Sequence, residues 1–123
     1  MQTSRRAGFT LTEILIVVGI ISLLAPIAIP NFVRSRAASQ RSTCINNIRQ
    51  VDSAKQQWAT ETSQPLTTTP TSDQIAPYMN RSGSLTGVYC PTDPARTFDT
   101  SYTLNDITTP TTCIIQPANH ALP

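Results

Sequence analysis

Apolar and polar positions divide this chain unequally. Hydrophobic residues crowd into positions 9–33, and the remainder is rich in Thr, Pro and Ser. The run from Ile14 to Ile29 carries no charged side chain, and Phe9 to Leu11 before it and Phe32-Val33 after it lengthen the segment. A helix of that length crosses a hydrocarbon core of roughly 30 Å. From Asn31 to Thr60 there is no Gly or Pro, and helix formers dominate. Cys44, Ile48, Val51, Lys55 and Trp58 recur at spacings of four, three, four and three, and Ala37, Arg41 and Ile45 extend that face. Such a stripe predicts an amphipathic helix. Residues 10–60 therefore read as one long helix, its first half suited to lipid. Its second half packs under a small head through Ile48, Val51 and Trp58, with Trp58 anchoring the head's sheet. Pro26 and Pro30 each remove a helix hydrogen bond and crowd the preceding turn. They predict a kink or a loosened stretch between Ser22 and Asn31.

Beyond the helix the pattern weakens. Thr62 to Thr71 (TSQPLTTTPT) reads as a linker loop. Ser72-Asp73-Gln74 predicts a capped short helix through about Met79, limited by Pro77. Tyr102 to Leu104 and Thr112 to Ile115 are brief strand-like runs, with Asn105-Asp106 starting a turn and Val88-Tyr89 offering a further edge. Asn80-Arg81-Ser82 matches a glycosylation sequon, a short and common pattern. The expected fold class is α+β, a long N-terminal helix packed against a small antiparallel β-sheet head. The expected segments are 1–8, 9–33, 34–60 and 61–123. A polar domain this small buries little core and needs extra support.

Charge narrows the choice of partners. Nine Lys plus Arg stand against seven Asp plus Glu, and removing residues through Gly8 takes away Arg5 and Arg6 and leaves seven of each. Nucleic-acid binding calls for a clustered positive footprint, which a neutral chain does not supply. The stem is basic, with Arg34, Arg36, Arg41, Arg49 and Lys55 against Glu13 and Asp52. The head is acidic, with Arg81 and Arg96 against Glu61, Asp73, Asp93, Asp99 and Asp106. Arg5-Arg6 favour a cytoplasmic start, but Arg34, Arg36 and Arg41 follow the apolar segment, so charge alone leaves the orientation open.

No catalytic arrangement is visible. The single histidine, His120, has no Ser, Cys or carboxylate at a recognisable spacing, and four scattered glycines form no phosphate loop. The head acids lack the spacing of a calcium loop. Cys44, Cys90 and Cys113 form no CxxC and have no His at metal-ligand spacing, which argues against zinc. No enzyme activity, metal or cofactor is expected.

One residue stands out. Glu13 opens the apolar run, where a carboxylate costs up to about 2.5–3.5 kcal/mol at the centre of a lipid-embedded helix. A secretory signal peptide has no reason to carry it, and Pro26 and Pro30 surround the small residues Ala25 and Ala28 that a signal peptidase would need. Arg5-Arg6-Ala7-Gly8-Phe9-Thr10-Leu11-Thr12-Glu13 resembles the prepilin cleavage and methylation motif of type IV pilins and pseudopilins. In that family a basic leader ends in Gly, Phe follows, and Glu lies four residues beyond. Pro30 also falls where the family has a helix-disturbing proline, whereas Pro26 is an addition. The resemblance covers residues 5–33.

The resemblance implies a pilin-like fold, a leader at 1–8, cleavage between Gly8 and Phe9 by prepilin peptidase, and N-methylation of Phe9. It implies that Glu13 pairs with the new amine of a neighbouring subunit. It further implies a single pass through the bacterial inner membrane, with the leader cytoplasmic and the head periplasmic. The partners would be the lipid bilayer, an assembly platform, other pilins and further copies of the chain. The function expected is a structural subunit of a type IV pilus or type II secretion pseudopilus. The alternative is a minor pilin that binds DNA or a surface at the filament tip. With the head outside the cytoplasm, the odd cysteine count fits one disulfide and one free thiol. Cys90 with Cys113 would close a loop of about twenty residues and constrain the unfolded chain by roughly 3 kcal/mol. Cys44 with a head cysteine is the rival pairing.

Overall fold

The computed structural model describes residues 7–79 and 82–123. The Arg5-Arg6 pair and Asn80-Arg81 of the sequon lie outside the described residues. The chain is α+β, as expected. Helix α1 runs Leu11–Thr62, followed by α2 (Ser72–Ile75), a 3₁₀ turn (Ala76–Tyr78), α3 (Phe98–Ser101), β1 (Tyr102–Thr103) and β2 (Thr112–Cys113). The backbone divides into two compact units, Met1–Arg36 and Ala37–Pro123.

In the first unit, α1 contains a stretch long and apolar enough to cross a membrane, none of it buried within the chain. The helix continues through Pro26 and Pro30. Each proline lacks an N–H, so the carbonyls of Ser22 and Pro26 have no donor four residues on. Those carbonyls lie one turn apart on one face. The effect of the prolines is thus confined to one side of an unbroken helix.

In the second unit, the remainder of α1 supplies the floor of the core. Cys44, Ile48 and Val51 are fully buried, and they meet Ile75, Met79, Val88, Cys90, Phe98, Tyr102 and Cys113. The rings of Phe98 and Tyr102 pack 5.6 Å apart at a tilt of 46°. The helix ends where Ser63 adopts a left-handed φ of 51° and Gln64 N–H donates to Ala59 C=O at 3.0 Å. That is the geometry of a Schellman stop, with serine where glycine is usual.

The head has less regular structure than its sequence suggests. The sheet has two antiparallel strands, pairing Tyr102 with Cys113 and Thr103 with Thr112. Val88-Tyr89 does not join it. Val88 N–H closes a turn onto Leu85 C=O, and the Tyr89 carbonyl accepts instead from Asn47 Nδ2 at 3.0 Å. β2 stops at Cys113, leaving Ile114 and Ile115 exposed. The short helix begins at Ser72, but its N-cap is Thr71, whose N–H donates to Gln74 Oε1 at 2.9 Å. Trp58 is buried but lies outside the cluster that holds Tyr102 and Cys113, so it does not anchor the sheet.

Polar side chains do that work. Lys55 is 1 % exposed, and its Nζ donates to the carbonyls of Asp106 (3.1 Å) and Thr109 (2.8 Å) while lying 3.0 Å from Asp52 Oδ1. Asp52 in turn accepts from the backbone N–H and hydroxyl of Thr111, at 3.0 and 2.8 Å. Two residues one turn apart on α1 therefore clamp the whole β1–β2 connection. Asp93 does the same for the preceding loop. It accepts from Ala95 N–H (2.9 Å), Thr100 Oγ1 (2.6 Å) and Ser101 Oγ (2.7 Å), and these bonds hold its carboxyl below the usual range.

Candidate functional site

Two sets of residues carry chemistry, one in each unit. The first begins at Gly8, which lies in the non-helical segment ahead of α1. Among the described residues, a Cβ added at Gly8 would meet nothing within 4 Å, so their packing sets no demand for glycine there. Phe9 follows, 86 % exposed. Thr10 is the residue before the helix, and its N–H donates to Glu13 Oε2 at 2.8 Å, while Glu13 N–H donates to Thr10 Oγ1 at 3.3 Å. This reciprocal pair is a capping box, which satisfies two of the unpaired N–H groups at a helix start. Glu13 thus has a task within its own chain that the apolar run concealed, although Thr10-x-x-Glu13 spells the signal. The Glu13 carboxylate is exposed, four residues from Phe9.

The second set lies in the core of the head. Cys44 comes from α1, Cys90 from the loop ahead of α3, Cys113 from β2, and His120 from the turn after Pro117. All four are buried, and their three sulfurs and one ring nitrogen lie within 4.8 Å of one another. His120 Nδ1 is 3.4 Å from Cys90 Sγ and 3.9 Å from Cys113 Sγ. His120 N–H donates to Gln116 C=O at 2.9 Å, closing the turn that brings the ring inward. Cys90 is fixed from both sides. Its N–H donates to Ser101 Oγ, its carbonyl accepts from Asp93 N–H, and its sulfur lies 3.0 Å from Thr92 Oγ1. Burial pushes the Cys44 thiol up and, together with the Arg41 charge, pushes the His120 imidazole down.

The three cysteines are free. The expected Cys90–Cys113 bond is not formed, nor is its rival through Cys44. Instead, all three sulfurs and the imidazole gather within 4.8 Å of one another. Spacing along the chain argued against a metal and dismissed His120. Both inferences assumed ligands that are neighbours in sequence, whereas here each donor comes from a different part of the chain.

Residues 3–25 match the family model for the prokaryotic N-terminal methylation motif. The chain is 44 % identical over 57 residues to the type IV major pilin protein PilA of Myxococcus xanthus, a match covering 46 % of this chain and 26 % of that protein. The alignment thus spans about a quarter of that relative's length. No solved structure matches the chain. The chain thus carries an N-terminal methylation motif and, over those 57 residues, is similar to a type IV major pilin.

Proposed function

We propose that the chain is a structural subunit of a type IV pilus, made as a membrane-held precursor, cut between Gly8 and Phe9, and polymerised through α1. The observation that carries this reading is the Gly8-Phe9 junction, exposed and non-helical, directly ahead of a 52-residue helix whose first half is uncovered apolar surface. A protease needs extended backbone, and glycine lets that backbone enter a narrow site. Among the described residues nothing lies within 4 Å of a Cβ built at Gly8, which fits a demand for glycine set by the enzyme that grips it. The apolar face is covered first by lipid and then by the helices of other subunits. In this reading the leader is cytoplasmic, the head lies across the inner membrane, and the assembly platform draws the processed subunit out of the bilayer.

Cleavage changes the electrostatics at the start of α1. It leaves a cationic amine on Phe9, which methylation keeps charged. Glu13 is the only acid between that amine and Asp52. In the precursor it caps its own helix. In the filament it faces the amine of an adjoining subunit, because two opposite charges in a low dielectric are costly to separate. The exchange of a local cap for an intermolecular ion pair sets the axial register of the stack. The role is architectural, and no group in the reading acts as a catalyst.

Production of the full chain in cells that contain prepilin peptidase tests the processing step. Intact mass spectrometry is expected to show loss of Met1 to Gly8 and gain of one methyl group on Phe9. A mature N-terminus at any other residue would contradict the reading.

A further inference from the structure

We propose that Cys44, Cys90, Cys113 and His120 bind one zinc ion, as a closed structural site that staples the head. Three thiolates and one imidazole are a common donor set for structural zinc, which takes four ligands in a tetrahedron. With zinc–sulfur bonds of about 2.3 Å and zinc–nitrogen bonds of about 2.0 Å, ligand atoms sit roughly 3.5–3.8 Å apart. Nδ1 of His120 stands 3.4 and 3.9 Å from two of the sulfurs, and no pair of donor atoms exceeds 4.8 Å. The cluster needs only a small contraction around an ion.

The surroundings fit. Thr92 Oγ1 lies 3.0 Å from Cys90 Sγ and can donate to a thiolate, an outer contact of the kind that orients metal ligands. A cleft of 230 Å³ lined by Pro110, Cys113, Pro117, His120 and Leu122 leads to the cluster. Binding releases the three thiol protons, takes His120 neutral through Nδ1, and leaves a net charge of minus one on the complex. The exposed Arg41, one turn before Cys44 on α1, supplies the opposite charge. Soft sulfur donors favour zinc over magnesium or calcium. A disulfide would use two of the sulfurs and leave the third, with the imidazole, unexplained at the same point.

The site also answers a structural need. The strands are two residues long, and the four donors tie α1, the Cys90 loop, β2 and the C-terminal turn together. Small domains of this kind commonly draw on a metal or disulfides for stability.

The test uses the full-length chain, extracted from membranes in mild detergent without reductant or chelator. Elemental analysis is expected to give one zinc per chain, with all three cysteines shielded from alkylation until a chelator is added. A disulfide between any two of them, or metal-free protein with freely reactive thiols, would overturn the proposal. His120→Ala is expected to weaken zinc binding more than about 100-fold, since even outer-contact changes cost ~10–100-fold. His120→Cys, which completes a four-thiolate set, is expected to restore stoichiometric zinc. Undiminished zinc in His120→Ala would remove His120 from the site. None of these readouts depends on filament assembly, so the metal and the pilus reading stand or fall separately.

Discussion

Glu13→Leu is expected to leave cleavage behind Gly8 intact and to abolish filaments. The variant loses the capping box, worth about 0.5–2 kcal/mol to the helix start. That loss is modest because α1 has dozens of residues still to hold it. In the proposed filament the larger effect is intermolecular. A buried ion pair broken by removing one partner costs about 3–5 kcal/mol, because the remaining charge stays behind unpaired. At 1.4 kcal/mol per tenfold, each subunit addition weakens by roughly 100-fold or more. Glu13→Gln separates the two roles. Glutamine can accept the Thr10 N–H bond and keep the cap, but it carries no charge to offer the Phe9 amine. It is expected to stop filaments as leucine does. Filaments of normal number and length from Glu13→Gln would reassign Glu13 from subunit pairing to helix capping.

The second large effect lies in the head. Lys55→Ala is expected to destabilise the second unit by about 3–5 kcal/mol, the range for a buried ion pair that loses one member. The side chain is 1 % exposed and makes three polar contacts at once. Without it, the Asp106 and Thr109 carbonyls lose their donor, and Asp52 keeps only its bonds from Thr111. For a unit of this size each kcal/mol shifts the melting temperature by roughly 4–8 °C, so a fall of about 12 °C or more is expected. Near-ultraviolet circular dichroism of the full chain in detergent reads it. A shift under about 4 °C, equivalent to less than 1 kcal/mol, would show the clamp to be dispensable.

Lys55 also marks what the chain's pattern could and could not disclose. It fell on the buried stripe of α1 by spacing alone, and the stripe was legible because a helix repeats its face every three or four residues. The same regularity exposed the membrane-length run and the stem that follows it. What occupies Lys55 inside was not legible, since its acceptors are two backbone carbonyls more than fifty positions away. The head resisted for the same reason. Strands two residues long leave no alternation to count, and the loops are held by Asp52, Lys55 and Asp93 rather than by ladder bonds. α3 went unread because Phe98–Ser101 is a single turn.

The two functional sets differ in the same way. Gly8, Phe9 and Glu13 fall within six positions of one another, so a motif could name them, and Thr10-x-x-Glu13 spelled the capping contact as well. Cys44, Cys90, Cys113 and His120 are dispersed over most of the chain. An odd cysteine count and a lone histidine were the only traces they left. Their meeting point is a property of the folded head.

Filaments sheared from the cell surface offer the most direct test of assembly. Tryptic and intact-mass analysis of that fraction should find this chain as an abundant component, starting at Phe9. If the chain is instead recovered only from the membrane, as a monomer retaining Met1 to Gly8 in cells with an active prepilin peptidase, the pilus-subunit account is wrong.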